Sequence, residues 1–204
     1  MSSPLEIPVV DGRRARRERG RTAVVDAMVD LVQEGHHPPT VEAIAARAGV
    51  SVASVFRYFE RLDVLQDETT ARFLERHAPL FEIDRLGVGP RDARTARYVA
   101  ARTTLYPTIA PMARFVRSRA LEQPRVAATL GQMRRRLADQ ADRHFAPELD
   151  ALTPARRTDV VGSIATLTSF ESWDALRHDL GTPDAALKRA WTSALRALLP
   201  PSPG

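Results

Sequence analysis

Apolar residues recur every three to four positions along most of this chain, which is the spacing of one buried face of an α-helix. The first such segment runs from about Arg13 to Glu34 and stops at Gly35, just before a pair of prolines. Residues 1–12 show no such period and contain two prolines and a glycine, so we expect a flexible arm there.

Two shorter helices are predicted next. Thr40 is suited to cap a helix from Val41 to Ala48, and Gly49 is suited to end it in a left-handed conformation. Ser51 then caps a helix over 52–59. Two helices separated by so tight a turn form a helix-turn-helix, although an ordinary corner of two helices with solvated polar residues fits the same pattern.

The rest of the chain keeps the helical period. A fourth helix begins near Leu62, and Pro107 and Pro111 are expected to kink or divide a later segment. Further helices are predicted near 90–105, 108–121, 124–146, 153–180 and 183–199. No strand pattern of useful length and no internal repeat occurs in the sequence, so the predicted fold class is all-α.

Composition narrows the possible functions. The chain is 44% hydrophobic, which supports a packed core, and it contains no cysteine, which excludes disulfides, thiolate metal sites and a thiol nucleophile. The sequence shows neither a signal-peptide pattern nor an apolar run of membrane-spanning length. We therefore expect a cytoplasmic protein with no membrane partner.

Positive charge is concentrated at the start of the first helix. Residues 13–21, RRARRERGR, hold six arginines and one glutamate, which equals the net charge of +5 for the whole chain. A run of charge is often only a solvated helix end. Beside a helix-turn-helix, however, we expect Arg16, Arg17 and Arg21 to contact the phosphate backbone of DNA.

The second helix of the corner has the residues to enter a major groove. Its outward positions are small or polar, and one arginine is placed to reach a guanine edge or a phosphate. The helix starts at Thr40 and Ser51 also present backbone N–H groups to phosphate oxygens. The expected DNA contacts of the corner are Thr40, Ser51, Ala53, Ser54, Arg57, Tyr58 and Arg61.

Residues 40–65, TVEAIAARAGVSVASVFRYFERLDVL, resemble the DNA-binding domain of TetR-type (tetracycline-repressor-like) transcriptional regulators. The resemblance implies an N-terminal three-helix DNA-binding domain with a helix-turn-helix and a larger C-terminal helical domain for ligand binding and dimerisation. The corresponding domains are a flexible arm over 1–12, a DNA-binding domain over 13–65 and the helical regulatory domain over 66–204.

Two positions depart from the family pattern. The family usually has tyrosine, whose hydroxyl commonly bonds a phosphate, where this chain has Phe56, and it usually has lysine where this chain has Leu62. Arg61 is the candidate replacement for the missing lysine. Tyr58, where the family often has histidine, is the candidate replacement for the missing hydroxyl.

Two C-terminal helices have the character of an interface. Residues 160–173 are apolar or small around nearly the whole helix, and the last helix repeats the theme. Paired with their copies across a two-fold axis they would form a four-helix interface, as the family does, although a core helix pair within a monomer is the alternative. The expected dimerisation residues are Val161, Ile164, Thr168, Leu187, Trp191 and Leu195.

A ligand cavity is expected in the C-terminal domain, lined mainly by residues that come before these two helices in the sequence. Irregular packing around Pro107 and Pro111 leaves room for a pocket, although plain core packing is the alternative for each residue. The candidate lining residues are Tyr98, Tyr106, Met112, Phe115, Leu130, Met133, Phe170 and Trp173. The resemblance implies a small apolar or amphipathic effector.

Together these features predict a one-component transcriptional regulator, expected to be a repressor that a small-molecule effector releases from a pseudo-palindromic operator. Its expected partners are double-stranded operator DNA, the effector and a second copy of the chain. Alternatives are an effector-independent architectural DNA-binding protein and a helical interaction module. The sequence contains no G-x-S-x-G motif, no H-E-x-x-H motif and no phosphate loop, and its histidines are scattered. We therefore expect that the protein is not an enzyme and has no cofactor or metal site.

Overall fold

The computed structural model describes residues 11–201 of the chain, and within that range the regular structure is helical, with no β-strand. The all-α fold class predicted from the sequence is therefore confirmed. The chain divides into two compact units, Met1–His77 and Ala78–Gly204. Residues 1–10, most of the expected N-terminal arm, lie outside the described range.

The first unit contains four helices within its described part. They are α1 (Asp11–Gln33), α2 (Val41–Ala48), α3 (Val52–Tyr58) and α4 (Leu62–His77). Helix α1 begins at Asp11, close to the expected start near Arg13, and the whole basic run lies on a helix. The expected domain boundary at residue 65 falls inside α4.

Local capping explains the corner between α2 and α3. The Thr40 side chain accepts a hydrogen bond from the Ala43 N–H, and Ser51 does the same for the Ser54 N–H. Between the two helices Gly49 adopts φ 66°, in the left-handed region that a side chain disfavours. These are the caps and the turn that the sequence predicts.

Helix α1 supplies most of the core of the first unit. Its apolar face is buried and packs against α2 and α4, with Ile44 and Val55 of the corner and Leu65 and Phe73 of α4 also buried. Because one long helix contacts both the corner and α4, the corner has a rigid support.

The second unit contains α5 (Arg91–Ala120), α6 (Pro124–His144), α7 (Ala146–Leu149), α8 (Pro154–Leu167), α9 (Phe170–Asp174) and α10 (Asp184–Leu198). A 3₁₀-helix, Ala78–Phe81, precedes α5, and a π-helix, Ala175–Asp179, follows α9.

Helix α5 corrects one prediction. The two helices expected at 90–105 and 108–121 are a single helix that runs through Pro107 and Pro111. Each proline removes one backbone hydrogen bond, but Leu105, Tyr106 and Ile109 are buried on the same helix. We infer that this burial outweighs the lost hydrogen bonds.

The segment 153–180, expected as one helix, is broken at Thr168. The backbone of Thr168 leaves the helical region, at φ −103° and ψ 23°, and Ser169 begins α9 by capping the Ser172 N–H. A serine and a threonine that bond nearby backbone groups in this way compete with a continuous helix. The break places Thr168 in the interior, where it is 1% exposed.

Candidate nucleic-acid interface

The corner presents one face of α3 to solvent. Ala53, Phe56 and Arg57 are exposed, and so is the capping residue Ser51, whereas Val55 is buried beneath them. A short helix held by its apolar side with its other side free is the arrangement that enters a major groove. The structure therefore brings Ser51, Ala53 and Arg57 of the expected contacts onto one surface.

Hydrogen bonds order the polar side chains of this surface. Ser54 Oγ lies 3.0 Å from Ser51 Oγ, and Arg57 Nη2 donates to Ser54 Oγ at 2.9 Å. The Arg57 guanidinium is thus held along the helix while it remains exposed. Because a guanidinium has five N–H donors, most of its donor capacity remains for a base edge or a phosphate.

Tyr58 packs against α1 at Gly20. A Cβ atom added to Gly20 would clash with Tyr58 Oη and would lie 2.7 Å from Tyr58 Cζ, so the ring occupies the space that a side chain at position 20 would fill. From the sequence, this hydroxyl was the candidate to reach a phosphate. The structure places it beside α1, where it helps fix the end of α3.

Arg21 has structural partners on three sides. It forms an ion pair with Glu68 of α4, donates to the Tyr58 carbonyl at 2.5 Å, and lies 4.2 Å from the centre of the Phe59 ring. These contacts join α1, the end of α3 and α4. Arg16 and Arg17, which are exposed on the first turns of α1, differ from it in this respect.

The remaining expected contacts lie at the edges of the corner. Thr40 is exposed at the start of α2. Arg61, with a side chain 75% exposed, pairs with Asp63 at 2.6 Å, and this hydrogen bond lowers the pKa of the Asp63 carboxyl. Arg61 is therefore accessible but shared with a carboxylate.

Three exposed apolar side chains on α3 and at the start of α4 were not among the expected contacts. Phe56 is 54% exposed, and Leu62 and Val64 at the start of α4 are also exposed. The two departures from the family pattern, Phe56 and Leu62, are thus both accessible. In the sequence, these two residues could be noticed because they depart from the family pattern.

The expected pocket residues lie in the second unit. Tyr106 packs against Phe170, Trp173 and Trp191, with ring centres 5.9, 6.0 and 6.3 Å away. Tyr98, Met112, Phe115 and Leu130 are buried and Met133 is half-buried. The structure brings the aromatic members together as a packed interior.

Thr168 joins two of these tyrosines. Tyr106 Oη donates to the Thr168 carbonyl at 2.6 Å, and Tyr98 Oη lies 3.1 Å from Thr168 Oγ1. Burial raises the pKa of Tyr106, so its hydroxyl keeps the proton that it donates. Thr168, expected at a dimer interface, therefore has partners inside its own protomer.

The other expected dimerisation residues are also mainly internal. Ile164, Leu187, Trp191 and Leu195 are each no more than 1% exposed, whereas Val161 is half-buried. The exposed positions of α8 and α10 include small residues, among them Gly162, Ser163, Thr166, Ala190 and Ser193, and charged ones such as Arg156, Lys188 and Arg189. The apolar pattern thus marks the protomer's own core.

Two features of the described residues bear on the site. Residues 11–201 contain no group of three or more histidine or acidic side chains placed to hold a metal ion. Within the same range, no helix is both long and apolar enough to cross a membrane.

A helix-turn-helix with one exposed face, followed by a second all-helical unit, is the arrangement typical of helical DNA-binding regulators. Residues 26–61 match the family model described as bacterial regulatory proteins, tetR family. The resemblance stated from the sequence is confirmed: this segment matches the tetR-family model, and the fold is shared with solved transcriptional regulators of that family.

Solved structures share the fold at low sequence identity. A tetR-family transcriptional regulator from Streptomyces coelicolor is 22% identical, with a TM-score of 0.67 over 87% of this chain and 81% of that one. A transcriptional regulator from Rhodococcus sp. Rha1 is 20% identical, with a TM-score of 0.59 over 89% of this chain and 95% of that one.

The multidrug binding protein EbrR, complexed with imidazole, is 15% identical, with a TM-score of 0.55 over 90% of this chain and 96% of that one. A search of the curated proteins found no match.

Proposed function

We propose that this protein is a one-component transcriptional repressor. It binds a pseudo-palindromic operator as a homodimer, and a small-molecule effector bound in the second unit releases it. The observation that carries the DNA-binding part is the exposed face of α3, on which Ser54 holds the accessible Arg57. Acting on chromosomal DNA, it works in the cytoplasm.

Sequence reading and backbone binding fall to different residues in this proposal. Arg57 contacts a base edge or phosphate in the major groove, with Ser51, Ala53 and Ser54 close to the bases. Thr40, Arg61, Arg16 and Arg17 contact phosphates, which adds salt-sensitive affinity without sequence preference.

In this proposal, the second unit provides dimerisation and effector-driven release from DNA. Two copies present two recognition helices, so that half-sites about one helical turn apart are bound together. The effector binds more tightly to the conformer of the dimer whose recognition helices are wrongly spaced for DNA. It therefore shifts the population away from the DNA-binding form. A coupling of about 1–3 kcal/mol changes DNA affinity roughly 5–150-fold.

The test is selection from a pool of random DNA duplexes by the purified protein, followed by binding of the selected DNA and of scrambled DNA at two salt concentrations. We expect an inverted repeat whose specific binding survives the higher salt. Arg57→Ala should lose the preference for the selected sequence, whereas Arg135→Ala, a change at an exposed arginine of α6, should keep it.

Other outcomes separate the alternatives. Salt-sensitive binding without a recovered motif would favour an architectural DNA-binding protein that depends on the basic start of α1. The absence of DNA binding altogether would contradict the proposal.

A further inference from the structure

Arg102 is a buried cation without a counter-ion. The residue is 2% exposed, on α5 inside the second unit, and no carboxylate in the described part of the chain forms an ion pair with it. Its nearest hydrogen-bond acceptors are neutral: the Leu137 carbonyl at 3.2 Å and the Tyr98 hydroxyl at 3.4 Å. Its guanidinium also lies 4.7 Å from the centre of the Tyr98 ring.

Arg94, two turns earlier on the same helix, shows the contrast. It is also buried, but it forms an ion pair with Glu148, which is fully buried. Burying a charge is costly unless the charge is paired and hydrogen-bonded. The chain meets this requirement at Arg94 and leaves it unmet at Arg102.

The polar network beside Arg102 has a defined direction. Thr168 Oγ1 donates to the Ile164 carbonyl at 2.7 Å, so it must accept from the Tyr98 hydroxyl, 3.1 Å away. The Tyr98 oxygen is then left to accept from Arg102. In this series of hydrogen bonds, each hydroxyl proton points away from the guanidinium of Arg102. All the acceptors are neutral, so the series offers Arg102 no negative charge.

We propose that Arg102 holds the anionic group of the effector, and that the effector is a small carboxylate with an aromatic or aliphatic body. This proposal rests on the proposed ligand-binding role of the second unit. The planar guanidinium fork matches a carboxylate with two parallel hydrogen bonds. One turn further along α5, the ring of Tyr106 packs against Phe170 and Trp173, and the apolar body of the ligand would lie beside these rings.

Binding of matched probe pairs to the free protein tests this assignment. The probes are hexanoate, benzoate and 1-naphthoate, each compared with its own neutral amide, by calorimetric titration and by the shift in Tm. The proteins are the wild type, Arg102→Met, Arg102→Lys and Arg135→Met, the last changing an exposed arginine on α6.

We expect at least one carboxylate to bind the wild type ten or more times more tightly than its amide. Arg102→Met should remove that preference, Arg102→Lys should keep part of it, and Arg135→Met should keep all of it. Without ligand, Arg102→Met should leave the Tm unchanged or raise it, because the substitution removes an unpaired buried charge.

Two results would overturn the proposal. One is that no carboxylate is preferred over its amide by the wild type. The other is that the preference survives in Arg102→Met. A marked fall in the Tm of both Arg102 variants, with no carboxylate preference in the wild type, would assign Arg102 to the support of α6 instead. Since none of these measurements contains DNA, failure of the operator selection remains a separate result.

Discussion

At the scale of single residues, neighbouring arginines of the basic run have different roles. Arg21 is held by Glu68, the Tyr58 carbonyl and the Phe59 ring, whereas Arg17 is exposed on α1. The sequence alone grouped both as DNA contacts, because the partner of Arg21 lies 47 residues away. A run of like residues in sequence does not reveal such a long-range pairing.

This difference predicts opposite results for two alanine substitutions. Arg21→Ala should lower the free energy of unfolding of the first unit by about 1–3 kcal/mol, because it removes hydrogen bonds to a charged group. Arg17→Ala should change stability by less than about 0.5 kcal/mol. It should instead weaken DNA binding on all sequences and reduce the salt slope by about 1.

Denaturant unfolding and DNA titrations at several salt concentrations measure the two effects. If Arg21→Ala leaves stability unchanged and lowers only DNA affinity, the structural role assigned to Arg21 is wrong.

A second residue-scale prediction concerns His144, which is buried between α5 and the loop before it. Its Nδ1 accepts from the Gly87 N–H at 3.1 Å and its Nε2 lies 2.9 Å from the Arg94 carbonyl, so the neutral ring satisfies both partners. Burial, with Arg97, Arg94 and Arg102 nearby, lowers the pKa of His144, against the effect of its backbone hydrogen bond.

Since the folded state disfavours protonation, stability should be lost as pH falls below about 6.5, the ordinary histidine pKa. Thermal unfolding at pH 7.5 and 5.5 measures the loss. His144→Gln, which keeps an acceptor and a donor but does not titrate, should show a smaller fall in Tm. An equal fall in both proteins would assign the pH response to other groups.

At the scale of elements, α5 illustrates what local signals miss. Capping residues are local, so Thr40, Gly49 and Ser51 correctly predicted the ends of α2 and α3. Pro107 and Pro111 are local signals of the opposite kind, and they predicted a break that does not occur. The burial that keeps α5 whole comes from other helices, which a local pattern does not contain.

Removing an internal proline should therefore stabilise α5. Pro107 is exposed, and Pro107→Ala restores the N–H that the Thr103 carbonyl lacks. We expect a gain of about 1–3 kcal/mol, after allowance for the greater freedom of the unfolded chain. Pro124→Ala is the matched control, because Pro124 occupies the first turn of α6, where the missing N–H costs little.

Denaturant unfolding of the two variants compares the positions directly. An equal effect of both substitutions would indicate that Pro107 causes no local loss in α5.

At the scale of the whole molecule, the apolar pattern of α8 and α10 did not show what covers it. Helical periodicity identifies which side of a helix is apolar, but that side can be buried equally well by an internal neighbour or by a second copy of the chain. Trp191 and Leu195 are covered within the protomer. If α8 and α10 also form the dimer, the faces with small residues are those that meet.

Gly162 tests this form of the dimer. It is exposed on α8, and an added Cβ meets no atom within 4 Å in the protomer. Gly162→Arg should leave the helical circular dichroism of the protomer intact but shift the dimer toward monomer in sedimentation, because a large charged side chain blocks close approach of two helices. Ala128→Arg on the exposed side of α6 should remain dimeric.

A dimer that tolerates arginine at position 162 as well as at position 128 would use another surface.

The contact between Gly20 and Tyr58 also bears on how this sequence can change over time. The ring at position 58 fills the space of a side chain at position 20, so the two sites share one volume. A larger residue on α1 is compatible with this packing only if α3 ends in a smaller one. Among close relatives of this chain, the two positions should therefore vary together, and the pairing of bulky residues at both should be rare.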